Sequence, residues 1–242
     1  MLGSVAMAFV VCLIGACSYV WQPSPPREAA LYNLVFSDLL VHSPSPETDL
    51  SALGLDRDLV RWVGTGAFDE DAPIGNPTFK EDFFDHVTPA SLIKFYVTHP
   101  AQTIGLLDRA ARQGLSLRPG YLGNFEEASG FSSGAQSHAF DVWSNVRESF
   151  PSKSLAGFLA GFGLAIWAAA VVRRRCATLR GRMLAELFIL LMTMAAVEFV
   201  VVCLSGGALD IVKHLFAFNL LLDIAAIMAA SYAAKWWADV LE

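Results

Sequence analysis

LAGFLAGFGLAIWAAAVV–RRRCATLRGR–MLAELFILLMTMAAVEFVVVCL, residues 155–204, decides the fold. Two apolar runs, Leu155–Val172 and Met183–Leu204, each approach the roughly 20 residues a helix needs to cross the hydrocarbon core. Between them, loop 173–182 holds Arg173, Arg174, Arg175, Arg180 and Arg182 and no acid. Short arginine-rich loops stay in the cytoplasm, because moving those cations across the bilayer is unfavourable. The stretch therefore reads as two antiparallel membrane helices joined on the cytoplasmic side.

Working outward, Ser205-Gly206-Gly207 turns the chain into a further apolar run, 209–232, which makes another antiparallel pair. Lys235 in the tail 233–242 then lies inside, and Trp236 and Trp237 fall where an interfacial aromatic belt is expected. At the other end, Leu2–Val20 carries no charge and gives a first span over 1–20. Ile14-Gly15-Ala16-Cys17 has the look of a lipidation box, but no basic region precedes Phe9, so a plain membrane helix is the better reading. An uncharged start inside an apolar run also points to a natural beginning other than Met1. The predicted fold is all-α: a polytopic membrane protein with four transmembrane helices and a helical extracytoplasmic insert, residues 21–154, between the first and second.

Composition agrees with this division. Of the 242 residues 55% are apolar and 17% charged, and mean hydropathy is +0.47, which excludes a disordered or collagen-like chain. The insert carries 17 acidic and 10 basic side chains, and the remainder 6 and 7. Nothing here is a basic footprint, so nucleic acid is excluded as a partner, while membrane lipid is implied. Three of the four cysteines sit in apolar runs, which is no disulfide framework.

Proline and glycine punctuate the insert into helices. Leu31, Leu34, Val35 and Leu39 recur at the spacing of one helix face over Glu28–Leu40. Pro46 opens a short helix closed by Gly54, and Asp56–Val63 and Thr78–Val87 are further candidates. Thr88-Pro89 is a hydroxyl cap followed by proline at the first helical position, and Pro100 starts the next helix, which ends by Gly114. A glycine-rich loop, 115–136, precedes a last helix over Ala139–Phe150.

Chemistry is sparse. His42, His86, His99 and His138 are scattered without HExxH or Cys/His spacing, and Asp69-Glu70-Asp71 lacks the alternation of a calcium loop, so neither a metal nor a cofactor is predicted. No nucleophile elbow, P-loop or dinucleotide fingerprint occurs. Glu198 and Lys213 fall at similar depth on the third and fourth predicted spans and form a candidate intramembrane ion pair. Asp223, about 21 Å into the fourth predicted span, has no evident cationic partner; as a carboxyl it holds helices together or, in a transporter, serves a proton. Outside the membrane, Arg118, Tyr121, Asn124, His138 and Trp143 gather stacking faces, a forked donor and an amide in one loop, as a sugar-phosphate site would need. A purely structural role, tying the loop to its helices, fits the same residues.

Glu47-Thr48-Asp49-Leu50 through Gly64-Thr65-Gly66, Tyr96-Val97-Thr98-His99-Pro100, Leu117–Asn124, Gly134–His138 and Trp143-Ser144 together resemble one family. They are similar to the C-terminal half of bacterial glycan-assembly hexose transferases of the Wsf type, GT-C-like polytopic membrane glycosyltransferases. The resemblance implies an inner (cytoplasmic) membrane protein that handles polyprenyl-phosphate sugars in envelope polysaccharide biosynthesis, as a C-terminal fragment or beside other membrane subunits. Such enzymes carry a catalytic carboxylate in an early extracytoplasmic loop. Here one span precedes the insert and the large N-terminal half is missing. Asp38, 18 residues past the first span, is a poor stand-in, so the catalytic residues stay unassigned. The alternative reading is a noncatalytic membrane scaffold whose acidic helical domain binds a partner protein.

Overall fold

The computed structural model describes residues 24–120, 122–139, 141–149 and 153–241. The predicted first span, Leu2–Val20, with Cys17, lies outside them. Among the described residues all regular structure is helical, with a lone bridge between Asn124 and Gln136 in place of any strand. The chain divides into two compact units, residues 1–110 with 201–211 and residues 111–200 with 212–242.

In the first unit, α1 (Ser24–Tyr32) widens into a π-helix over Asn33–Leu39. The 3.6-residue spacing predicted one α-helix here. The turn at 64–67 accounts for the widening, since it engages the segment at four points. The Phe36 carbonyl accepts from Gly64 N–H (2.8 Å), and the Ser37 hydroxyl donates to the Thr65 carbonyl (2.7 Å). Asn33 Oδ1 accepts from Ala67 N–H (2.7 Å), and the Tyr32 and Thr65 hydroxyls bond at 2.6 Å. Gly64 sits at φ +92°, a left-handed conformation that costs glycine little.

Next come α2 (Pro46–Ala52), a 3₁₀ turn (Arg57–Trp62), α3 (Pro77–His86), α4 (Pro89–Thr98) and α5 (Pro100–Gln113). Proline opens all four α-helices, where its missing N–H leaves nothing unpaired. Asn76 caps α3, and Thr88 and Ser91 form a reciprocal capping box on α4. The rings of Tyr32, Phe36, Phe79 and Phe83 pack with centroids 4.8–6.2 Å apart, and Leu34, Val35, Leu50, Leu106 and Ala110 are fully buried around this core.

In the second unit, α6 (Val142–Glu148) precedes α7 (Leu155–Arg175), α8 (Leu179–Gly206), the single-turn α9 (Ile211–His214) and α10 (Phe216–Leu241). The end of α8 from Val201 belongs to the first unit. Three stretches are long and apolar enough to cross a membrane: Leu155–Arg175, Leu179–Gly206 and Phe216–Ala238. Their apolar windows are only 17–22% buried within the chain, which leaves most of their apolar surface for lipid. The rings of Phe158, Phe162, Phe199 and Phe218 pack with centroids 4.6–6.2 Å apart and hold the helices together. Arg173–Arg175 complete the last turn of α7, where cations complement the helix dipole, and Arg173 pairs with Glu186 (2.7 Å).

The run 209–232, predicted as one span, is not one helix. The chain breaks at Leu215 between α9 and α10. Lys213 therefore lies ahead of the span rather than within it. Asp223 sits seven residues into α10, about 10 Å from its start instead of 21 Å.

Candidate functional site

The π-helix carries Asp38 into the core of the first unit, where its side chain is 3% exposed. Arg109 of α5 donates from Nη2 to Oδ1 at 2.5 Å, and the Ala208 N–H donates to Oδ2. His42, one turn on, places Nδ1 2.9 Å from the Asp38 carbonyl and 3.2 Å from Oδ1. Gly207 makes this approach possible: at φ +74°, a Cβ there would stand 2.7 Å from Asp38 Oδ2. Tyr96 donates to the Leu204 carbonyl (2.7 Å), and burial, reinforced by the charge of Asp38, holds its phenol above the ordinary range.

Beside this node lies a cavity of about 230 Å³ lined by Leu39, His42, Pro44, Ala101, Gln102, Gly105 and Arg109. Its polar wall extends to a second buried carboxylate, Asp49, which accepts from Gln102 Nε2 at 2.6 Å and lies 3.7 Å from His99 Nε2. Two buried polar atoms on lining residues, Arg109 Nε and Gln102 Oε1, have no hydrogen-bond partner among the described residues. The lining thus sets three polar side chains, His42, Gln102 and Arg109, beside the aliphatic faces of Leu39, Pro44 and Ala101. Its one guanidinium is already neutralised by Asp38, so it suits a neutral, hydroxyl-bearing group better than an anion.

A family model described as the YfdI N-terminal transmembrane domain matches residues 1–242. The chain belongs to that family. No curated protein and no solved structure matches it. Membership in a YfdI-type transmembrane domain family and the three apolar helices make this a membrane protein, in keeping with lipid contact along those helices.

The described residues among those singled out in the loop take different partners. Arg118 donates to Gln136 Oε1 (2.7 Å), and Gln136 Nε2 donates to Asn124 Oδ1 (2.8 Å) and the Gly120 carbonyl (2.9 Å), so Gln136 organises both candidates. His138 pairs instead with Asp141 (2.8 Å), whose carboxyl it holds below the usual range by that hydrogen bond. Tyr121 lies outside the described residues. Trp143 is engaged elsewhere: its indole N–H donates to Asp223 Oδ1 at 3.0 Å. Arg147 Nη1 donates to the same oxygen at 2.9 Å, and its Nη2 donates to Asn219. Asp223 therefore has the cationic partner that the sequence did not disclose. Burial lowers the pKa of Arg147, and Asp223 opposes that shift. Glu198 is half-buried on membrane-length α8, and Lys213 is exposed on the single-turn α9.

Sequence reading passed over Arg109, Gln102 and Gly105 altogether. The available signal was the placement of a glycine and two long polar residues along one amphipathic helix.

Proposed function

We propose that this membrane domain handles a polyprenyl-linked sugar as a glycosyltransferase-like protein, and that the cavity beside Asp38 receives the sugar ring. The observation that carries the reading is the mixed lining of that cavity, in which His42, Gln102 and Arg109 stand beside Leu39, Pro44 and Ala101. A hexose offers hydroxyls that both donate and accept, and apolar C–H faces for Pro44 and Leu39. The role assigned to this cavity is recognition. Both Asp38 oxygens are engaged, so the carboxylate orients Arg109 rather than taking a proton. The Wsf-type resemblance supports the same class of substrate. It concerns a C-terminal half, whereas the family description names an N-terminal domain.

Gly105→Leu tests the reading without removing a hydrogen bond. Gly105 lies within α5 with only Arg109 Nη1 near its Cβ position, at 3.5 Å, so leucine improves helix propensity while filling the cavity. Calorimetric titration of the detergent-purified chain with short-chain polyprenyl-phosphate hexoses should show binding to wild type and none to Gly105→Leu, at unchanged melting temperature. A second reading, the noncatalytic scaffold, is favoured by the saturation of Asp38 by donors that hold the fold. It predicts no heat from any lipid-linked sugar with either protein.

A further inference from the structure

Helix α6 has seven residues and two unlike faces. At about 100° per residue, Val142, Val146 and Trp143 share one arc, and Ser144, Glu148 and Asn145 occupy the opposite one. The apolar arc is uncovered: Val142 is 73%, Val146 47% and Trp143 42% exposed. Arg147, at the edge of that arc, is 5% exposed and binds Asp223 and Asn219 of α10. On the polar arc, Glu148 accepts from Ser116 of the preceding loop at 3.2 Å.

The Asp223 contact fixes where α6 lies along a membrane-length helix. Asp223 is seven residues into the apolar stretch Phe216–Ala238, about 10 Å from its end. Amphipathic helices lying in a bilayer interface bury their apolar face to about 5–10 Å, the same depth. We infer that α6 is an interfacial helix that lies in the membrane surface, with Val142, Trp143 and Val146 among the lipid acyl chains at the headgroup boundary. The Arg147–Asp223 pair pins it there. A buried arginine at this depth needs such a partner, because charges at the edge of the hydrocarbon face protein or water rather than lipid. The tryptophan suits the position as well, presenting its ring to lipid and its N–H to a carboxylate. Chain continuity agrees, since membrane-length α7 begins at Leu155, shortly after α6 ends. The segment that leads from α5 into α6 is thereby tied to the bilayer surface at its C-terminal end.

The test uses the full chain in phospholipid nanodiscs. Spin labels are placed singly at positions 142, 145, 146 and 148 in a background with Cys12, Cys17, Cys176 and Cys203 replaced, and collisions with oxygen and with a water-soluble nickel chelate are compared. The expected result is an oxygen-dominated ratio at 142 and 146 and a nickel-dominated ratio at 145 and 148. Nickel dominance at all four positions would put α6 in water and overturn the inference. Access by neither reagent at 142 and 146 would show a protein partner on that face and overturn it equally. Trp143 supplies a check that needs no cysteine replacement. The fluorescence lost in Trp143→Phe should be the part of the wild-type signal quenched by lipids brominated near the headgroup end of the acyl chain. If bromolipids leave that part untouched, Trp143 does not meet lipid and the inference fails.

Discussion

Each unit holds one aspartate against one arginine, and the two pairs are built in opposite senses. In the first unit the acid is the buried member: Asp38 is 3% exposed and Arg109 26%. In the second the base is buried: Arg147 is 5% exposed and Asp223 32%. Asp38 spreads its two oxygens over a guanidinium and a backbone N–H, whereas Asp223 gathers a guanidinium and an indole on one oxygen. The contrast shows where desolvation falls. Around Asp38 it falls on an anion inside a packed helical core, and the fold must supply donors from residues 71 and 170 positions away. Around Asp223 it falls on a cation that an interfacial helix lowers onto a membrane helix.

The largest expected effect breaks the first pair. Arg109→Met removes the guanidinium that donates to Asp38 at 2.5 Å and leaves a carboxylate in the core. Such a loss costs about 3–5 kcal/mol, and much of it should return in Arg109→Met with Asp38→Leu, which leaves no charge behind. Unfolding in mixed detergent micelles, followed by circular dichroism, measures both. If the double variant is no more stable than Arg109→Met alone, the cost is not that of an orphaned charge. Asp223→Asn comes next. The amide still accepts from Arg147, Asn219 still binds the other end of the guanidinium, and the site is partly open. The expected loss is about 1–3 kcal/mol, the value of a charge-assisted bond reduced to a neutral one. An Asp223→Asn effect larger than that of Arg109→Met would invert the comparison between the units.

The helix pair 155–204 could be read from length and hydropathy alone, because a helix able to cross lipid must be long and apolar. The helices of the insert were legible for a different reason. Pro46, Pro89 and Pro100 each sit at a first helical turn, where local chemistry suffices. What could not be read is long-range. Nothing near Asp38 in sequence announces that Ala208 will donate to it, and a face repeating every 3.6 residues gave no warning that turn 64–67 would widen that helix. Trp143 was assigned as a stacking face by residue type, yet its indole N–H is committed to a carboxylate 80 positions on. The fourth apolar run was legible as membrane-length but not as interrupted, since hydropathy is blind to the break at Leu215.

A third aspartate extends the comparison to its exposed limit and gives the smallest effect. Asp141 pairs with His138 at 2.8 Å, with His138 82% exposed, so water screens what the two buried pairs feel in full. The hydrogen bond from His138 holds the Asp141 carboxyl below its ordinary value of 3.8. A carboxylate whose folded-state pKa is depressed contributes stability above its unfolded value, and that contribution fades as pH falls through the folded one. Asp141→Asn should therefore lower the melting temperature slightly at neutral pH, and the two curves should converge when the pH is brought well below 3.8. The variant should also lose less than Asp223→Asn at every pH above that range. Melting curves of both variants from neutral pH down to the acid limit of the detergent sample decide it. A difference for Asp141→Asn that persists undiminished in acid would mean that Asp141 acts through something other than its charge, and the graded series from Asp38 through Asp223 to Asp141 would lose its exposed end.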